Sequence, residues 1–453
     1  MRWQSSSASI AIAFMIFLWS KAWSDSPDLP PLAGSAFSSK IPYNWTCEEK
    51  EPRGIDNAAI KQRYMDIYSW QIFVAVNWPV VSDPDHNPPW KPKATFPLLD
   101  TVTDPRENSA PDGEIPRWIT WKKSSEIFPK AGPQPKMVTS LSDFSESDSD
   151  VPGTMYPLFD QNGKKVYYEI FVNNVEADKI KRMFSPGKRI QSQVQFQPGQ
   201  CKPKDDYDIE GVIELKLAWK VLHAQKDIRS RFLKRTVHIK KEGTDEEVPV
   251  EMGLVGMHIA HKTRDHMKWI WSTFEHIDNV RANDLPDGGK SKPLFYDPAC
   301  KDCPPPNCPP PPGSVQKTQL TRDEDIAENT ARLNAEARAL LSQKKSVLQY
   351  YELIGTQYLP KNLDSEEKIA PKYLRNTVIE PYLSKTECVG VSQDKPYEPS
   401  SCIGCHKRAV MPIDRCVGHK HSAPLDCFSG HTLVTKDMVC ADFSFLLDDP
   451  PCK

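Results

Sequence analysis

From Gly211 the chain reads GVIELKLAWKVL, and apolar and polar positions alternate. Ile213, Leu215, Leu217, Trp219 and Val221 fall on one side, and Glu214, Lys216, Ala218 and Lys220 on the other. A period of two predicts a half-buried strand. FLKRTVHIKK (Phe232 to Lys241), VEMGLVGMHIAHK (Val250 to Lys262) and WIWSTFEHI (Trp269 to Ile277) follow as three more strands with polar connections. Upstream, the turn signal Asn162-Gly163 precedes the strand-like KVYYEIFV. Such regular strands predict an antiparallel sheet, arranged as a sandwich or an open barrel.

Helical spacing appears in two places. Ile60, Tyr64, Ile67, Tyr68 and Phe73 recur at near-helical intervals, with Asp56 placed to cap the helix and Pro79 to end it. Thr321-Arg322-Asp323-Glu324 has the form of a capping box opening a second helix, DEDIAENTARLNAEARALL. SVLQYYELIGTQY (Ser346 to Tyr358) is β-branched and aromatic and predicts a strand returning to the sheet. RWITWKKSSEIF (Arg117 to Phe128) is amphipathic and fits helix or strand, and Phe144 to Asp150 is a solvated acidic loop.

The fold class expected is α+β: a large antiparallel β sandwich or open barrel with a few helices, plus a small Cys-rich C-terminal segment. The expected divisions are 1–24, a leader; 25–300, a β-rich domain with an N-terminal helix; 301–316, a Pro-rich linker; 317–386, a helix and returning strand packed on the β domain; and 387–453, the Cys-rich segment.

Composition changes this picture in two respects. The 453 residues hold 42 Pro against 20 Gly, and Pro at about 9% against a usual ~5% disfavours long bundles and coiled coils. The net charge of −2 gives nucleic acid or an anionic membrane no strong electrostatic partner.

Arg2 precedes an uncharged run from Ala8 to Trp19, and Ala22 and Ser24 stand at −3 and −1 before Asp25. The run of 12 residues is shorter than the roughly 20 a bilayer span takes. Residues 1–24 therefore read as a secretory signal peptide, with a retained anchor as the alternative, and no later segment is long and apolar enough to span. Twelve cysteines, seven of them after residue 380, agree with an oxidising compartment.

Cys402-Ile403-Gly404-Cys405-His406 is C-x-x-C-H, the attachment pattern of c-type haem. Two thiols must reach two vinyl groups on one porphyrin edge, and the following imidazole must reach the iron, so His406 is the expected proximal ligand. A chain of this composition produces the pattern by chance about once in a hundred. Two other readings stay open: a disulfide between the cysteines, or a Cys₂His₂ zinc site with His419 and His421.

The sixth iron ligand is open as well. Met438 lies 32 residues past His406, Met411 is close in sequence, and His431 is a further candidate within the tail. The tail is short for wrapping both porphyrin faces, so the large domain is expected to supply the other wall. GMHIAHKT offers His258 and His261 on opposite faces of one strand, and His276 has a similar standing. Each also fits a plain hydrogen-bonded structural role. Trp269 and Trp271 suit a haem-contacting wall or a core stripe, and Glu214, Lys216 and Glu275 suit acid–base groups or solvent-facing charges.

The order of SWQIFVAVNWP, GVIELKLAWKVL, GLVGMHIAHKT, WIWSTFEHIDNV, RLNAEARALL, YYELIGTQY, SCIGCHKRA and DFSFLL, from about Tyr64 to Leu447, resembles that of bacterial exported cytochrome c family proteins. The resemblance implies one covalent haem per chain and a periplasmic or secreted location. It implies Cys402 and Cys405 as attachment residues and His406 as axial ligand. The chain departs from the family in a longer stretch between Lys407 and Ala441, which carries Cys416, Cys427, His419 and His421.

The function expected is electron transfer with a redox partner protein or a small electron donor or acceptor, without nucleic acid and without a membrane span once the leader is removed. A haem-dependent oxidoreductase of peroxidase or oxidase type, with an open distal site, is the alternative. A haem-based sensor is the third reading.

Overall fold

The computed structural model describes residues 29–32, 37–42, 57–85, 89–94, 96, 100–106, 114–127, 156–184, 195–199, 210–240, 244, 246–263, 269–280, 292–311, 313–359, 371–384, 386, 388, 401–407, 409–412, 433–435, 438–442 and 444. The leader 1–24, the acidic loop 144–150, and His419, His421 and His431 lie outside the described residues.

Helix α1 (Ala58–Val76) begins at Asn57, one residue after the expected cap, whose side chain accepts from the amides of Ala59 and Ile60 at 2.8 and 3.3 Å. Strands β1 (Val80–Ser82) and β2 (Trp90–Pro92) pair as a short ribbon after it. The ambiguous segment near residue 120 divides into a 3₁₀ turn, β3 (Lys122–Lys123) and a single helical turn α2 (Ser124–Ile127). Next come β4 (Val166–Val172), α3 (Asn174–Met183), β5 (Ile213–Val221), β6 (Lys234–Lys240), β7 (Glu247–His261) and β8 (Ile270–His276). Helix α4 (Glu328–Gln343) and β9 (Tyr351–Tyr358) complete the large unit. The motif turn α5 (Cys402–His406) and β10 (Val410–Pro412), β11 (Leu433–Thr435) and β12 (Met438–Cys440) form the tail.

Seven strands make one antiparallel sheet in the order β3-β4-β5-β7-β8-β9, with β6 beside β7. β7 is long enough for two neighbours on one edge: Glu247–Gly253 pairs with β6 and Gly256–His261 with β8. The sheet stays open and does not close into a barrel, so the expected α+β class holds in its open form.

The two faces of the sheet differ. On one, Ile213, Leu215, Leu217 and Trp219 of β5 join Met257, Ile259 and Phe274 beneath α1 and α4. Phe73 stacks on Phe274 at 4.1 Å, and the Trp70 indole N–H donates to Asn334 of α4 at 3.0 Å. α1 is buried almost all round from Met65 to Val76, as a core helix must be when both its faces are apolar. The opposite face of β5 is not solvated as alternation suggests. Ala218 and Lys220 are buried there, and Lys220 meets Asp160 at 3.2 Å and Asp227 at 2.5 Å. This second face carries α3, the tail and the turn 376–380.

The capping box does not open α4. Thr321 is turned to Asn307, whose side-chain amide donates to its hydroxyl at 3.1 Å and accepts its backbone N–H at 3.0 Å, while Arg322 bonds Glu275 at 3.0 Å and Glu352 at 2.7 Å and Asp323 takes Tyr373 and Arg375. The helix begins at Glu328 without a side-chain cap. The Pro-rich stretch 301–316 is fastened by disulfides Cys300–Cys303 and Cys308–Cys388. Buried Asn307, at φ 62°, donates to Thr321, Asp323 and Ser384 at 3.1–3.2 Å. Among the described residues no helix is long and apolar enough to cross a membrane.

Candidate functional site

α5 is one turn, fixed at its start by Ser401, whose hydroxyl accepts the Gly404 amide at 3.0 Å. At helical spacing, positions i, i+3 and i+4 share a side. Cys402, Cys405 and His406 therefore share one, and Ile403 falls on another. Ile403 is fully buried, in an apolar cluster with Ala260, Trp269, Trp271, Leu359, Ala409 and Ala441. Its amide donates to Gln357 Oε1 at 2.8 Å, while the Gln357 Nε2 donates to the Pro371 carbonyl at 2.7 Å. Gln357 thus clamps the turn to the edge strand β9.

Cys402, Cys405 and His406 are each half-buried. The two motif cysteines are not joined to each other, and the disulfides of the described residues lie elsewhere. The His406 ring lies 5.8 Å from the Trp271 indole, tilted by 47°. The neighbouring Trp269 donates its indole N–H to the Asp442 carbonyl at 2.7 Å, tying the tail's return to β8. The Asp442 carboxylate also takes the Phe196 amide at 2.6 Å and the Lys262 ammonium. The tryptophan pair is therefore both core stripe and contact wall for the motif.

Beside Cys402 lies a polar cluster. Burial pushes the Cys402 thiol well up, and the Glu380 carboxylate pushes it further. Glu380 accepts from His258 Nε2 at 2.9 and 3.0 Å and from the Asn376 amide at 3.1 Å. Burial alone would raise Glu380, but His258 and Lys216 outweigh it and hold the carboxyl below its ordinary range. Lys216, His258 and Thr273 are direct cross-strand partners on β5, β7 and β8.

The structure separates the remaining candidates. His261 lies on the helix face, with its Nδ1 bonded to the Tyr68 hydroxyl and its Nε2 donating to the Glu210 carbonyl at 2.5 Å. Burial lowers its pKa to about 4. Both nitrogens are engaged and the sheet stands between this ring and the motif, so His261 has no lone pair to offer a group held at Cys402. His276 stacks on Phe232 at 4.1 Å, and its nitrogens meet the Arg231 carbonyl at 3.1 Å and the Asp278 amide at 3.2 Å. Burial takes its pKa to about 3. It is a structural histidine.

Glu275 is spent on Arg322 and on the Thr377 amide at 2.6 Å, which leaves no role for it as an acid or base. Met438 lies on β12, which pairs with the strand following α5 in the register Pro412↔Met438, and Met411 lies on that strand. The fold thus returns Met438 to the neighbourhood of the motif by its backbone.

Glu380, Gln357 and Asn376 carry much of this architecture and have no sequence signal of their own. Glu380 and Asn376 lie in a segment without period or motif, and nothing marks Gln357 within the predicted returning strand. Only the register of β7 against β8 and β9 brings them to the turn.

No protein-family model, characterised protein or solved structure matches this chain. The chemistry of the donor set therefore decides the fit to a haem. Two unjoined thiols sit on one side of a helical turn, the next side chain is an imidazole, and the turn is anchored from its opposite side. These residues fit covalent haem attachment.

Proposed function

We propose that this chain is an exported mono-haem c-type cytochrome that acts in electron transfer. Cys402 and Cys405 attach the haem through thioethers and His406 is its axial ligand. The observation that carries the reading is the pair of unlinked thiols beside an imidazole on a turn rooted in the sheet. A bound haem supplies a reversible one-electron couple at its iron, tuned by ligands, burial and hydrogen bonds. The chain's own residues do the holding. Ser401 and Gln357 fix the backbone of the turn. Ile403 seats it in the apolar cluster, and the Trp271 indole limits the swing of the His406 ring.

The leader and the oxidising cysteines support export, where thioether formation takes place. Expression with a haem-maturation apparatus is expected to yield a product starting at Asp25 whose intact mass exceeds the polypeptide by one haem. Cys402→Ser and Cys405→Ser are each expected to leave fewer than two thioethers, and the double variant none. A matured product with no porphyrin, or with zinc in its place, overturns the assignment.

A further inference from the structure

Three histidines stand on β7 and β8, and they differ in one respect. His261 and His276 each have both ring nitrogens bonded. His258 has one. Its Nε2 sits between the two oxygens of Glu380 at 2.9 and 3.0 Å, so this nitrogen carries the proton. In the neutral ring Nδ1 then carries the lone pair. That atom is buried, and no described residue bonds to it. A buried acceptor without a donor is costly, and native proteins rarely leave one so.

His258 also stands on the motif's side of the sheet. It shares a face of β7 with Ala260, which pairs with Trp271, and Trp271 is the residue against the His406 ring. One step further along the same face, Thr273 takes the Asn376 amide at 2.9 Å. Asn376 donates its own backbone N–H to Glu380. The turn 376–380 thus holds the carboxylate over His258, on the flank where the Cys402 thiol feels its charge.

Metal-ligating imidazoles usually donate their second nitrogen to a carboxylate, which fixes the ring and strengthens the ligand. His258 has that partner in place, and its other nitrogen has no hydrogen-bond partner among the described residues. We propose that His258 is the second axial ligand of the haem, binding iron through Nδ1, and that Glu380 is its positioning residue. This rests on the cytochrome reading above. It makes the protein a carrier with both axial positions filled by nitrogen, and it closes the distal side to peroxide or oxygen chemistry.

The test uses the full-length, matured protein, with haem content from intact mass and ligation from absorption and electron paramagnetic resonance spectra. The wild type is expected to carry one haem in a low-spin ferric state with two imidazole nitrogens. His258→Ala is expected to keep the haem mass, turn high-spin and return to low-spin on adding free imidazole. Glu380→Gln is expected to keep the haem and the low-spin state while its midpoint potential rises.

A His258→Ala protein with the wild-type low-spin spectrum overturns the proposal. So does a wild type that is high-spin and binds cyanide readily, or one with a thioether sulfur on the iron, which would point to Met438. If His258→Ala fails to fold, the wild-type resonance spectrum alone decides between these ligand sets. A wild type without haem mass removes the underlying reading instead, so the two failures are told apart.

Discussion

Glu176 lies buried in the first turn of α3, where its backbone amide bonds the capping Asn173 side chain at 3.1 Å. The helix N-terminus favours a negative charge there, yet burial wins. Desolvation and then the charge of Glu214 raise its carboxyl well above the ordinary 4.5. Glu214 is raised too, chiefly by burial. The folded state therefore binds a proton that the unfolded chain has released, and stability falls as pH rises from the unfolded value through the folded one. Glu176→Gln removes that titration and keeps the shape. Its melting temperature is expected to match the wild type near about pH 4 and to exceed it near about pH 8. Parallel thermal melts at the two pH values check this, and a variant weaker at the higher pH would contradict the burial argument.

Among the elements, the two disulfides offer a contrast in loop length. Cys308–Cys388 spans a separation of 80 residues, whereas Cys300–Cys303 spans 3. Chain entropy favours the long link, with an upper bound of about 4–5 kcal/mol against less than about 2 for the short one. Cys308→Ala/Cys388→Ala is expected to lower the urea midpoint by the equivalent of about 2–4 kcal/mol, and Cys300→Ala/Cys303→Ala by less than half of that. Equal losses would show that the 300–311 segment is held by its packing instead.

The strands of this sheet were legible because alternation needs only one buried face to leave its mark. Ile213–Val221 falls within the segment that period two selects, and Val166–Val172 and Ile270–His276 fall within the other segments read as strands. The start of α4 was not legible. Thr321 and Glu324 have the spacing of a capping box, but Thr321 is bound by Asn307 and the residues between them by Glu275, Glu352 and Tyr373, all from elsewhere in the chain. The same limit applies at the site. C-x-x-C-H is local and readable, while Glu380 reaches His258 across 122 residues of sequence. His258 and His261 look alike in GMHIAHKT, and only the surroundings of each face of β7 tell them apart.

At the scale of the whole molecule, the sheet is a partition. One face, under α1 and α4, holds most of the large apolar side chains and so most of the stability. The other holds the motif, its aromatic wall and the His258–Glu380 pair. The two kinds of lesion should then be separable. Phe73 is fully buried on the helix face, stacked on Phe274. Phe73→Ala is expected to cost about 3–5 kcal/mol and to leave the haem spectrum of the folded fraction unchanged, since no motif residue lies on that face. Trp271→Phe keeps an aromatic ring in the cluster, so its stability loss is expected to be smaller. It removes the indole against His406 and should shift the haem absorption bands and midpoint potential. Denaturation curves read beside absorption spectra separate the two effects. If Phe73→Ala moves the haem bands, the two faces are not separate; if Trp271→Phe leaves both bands and potential at wild-type values, the motif is not coupled to the sheet through its aromatic wall.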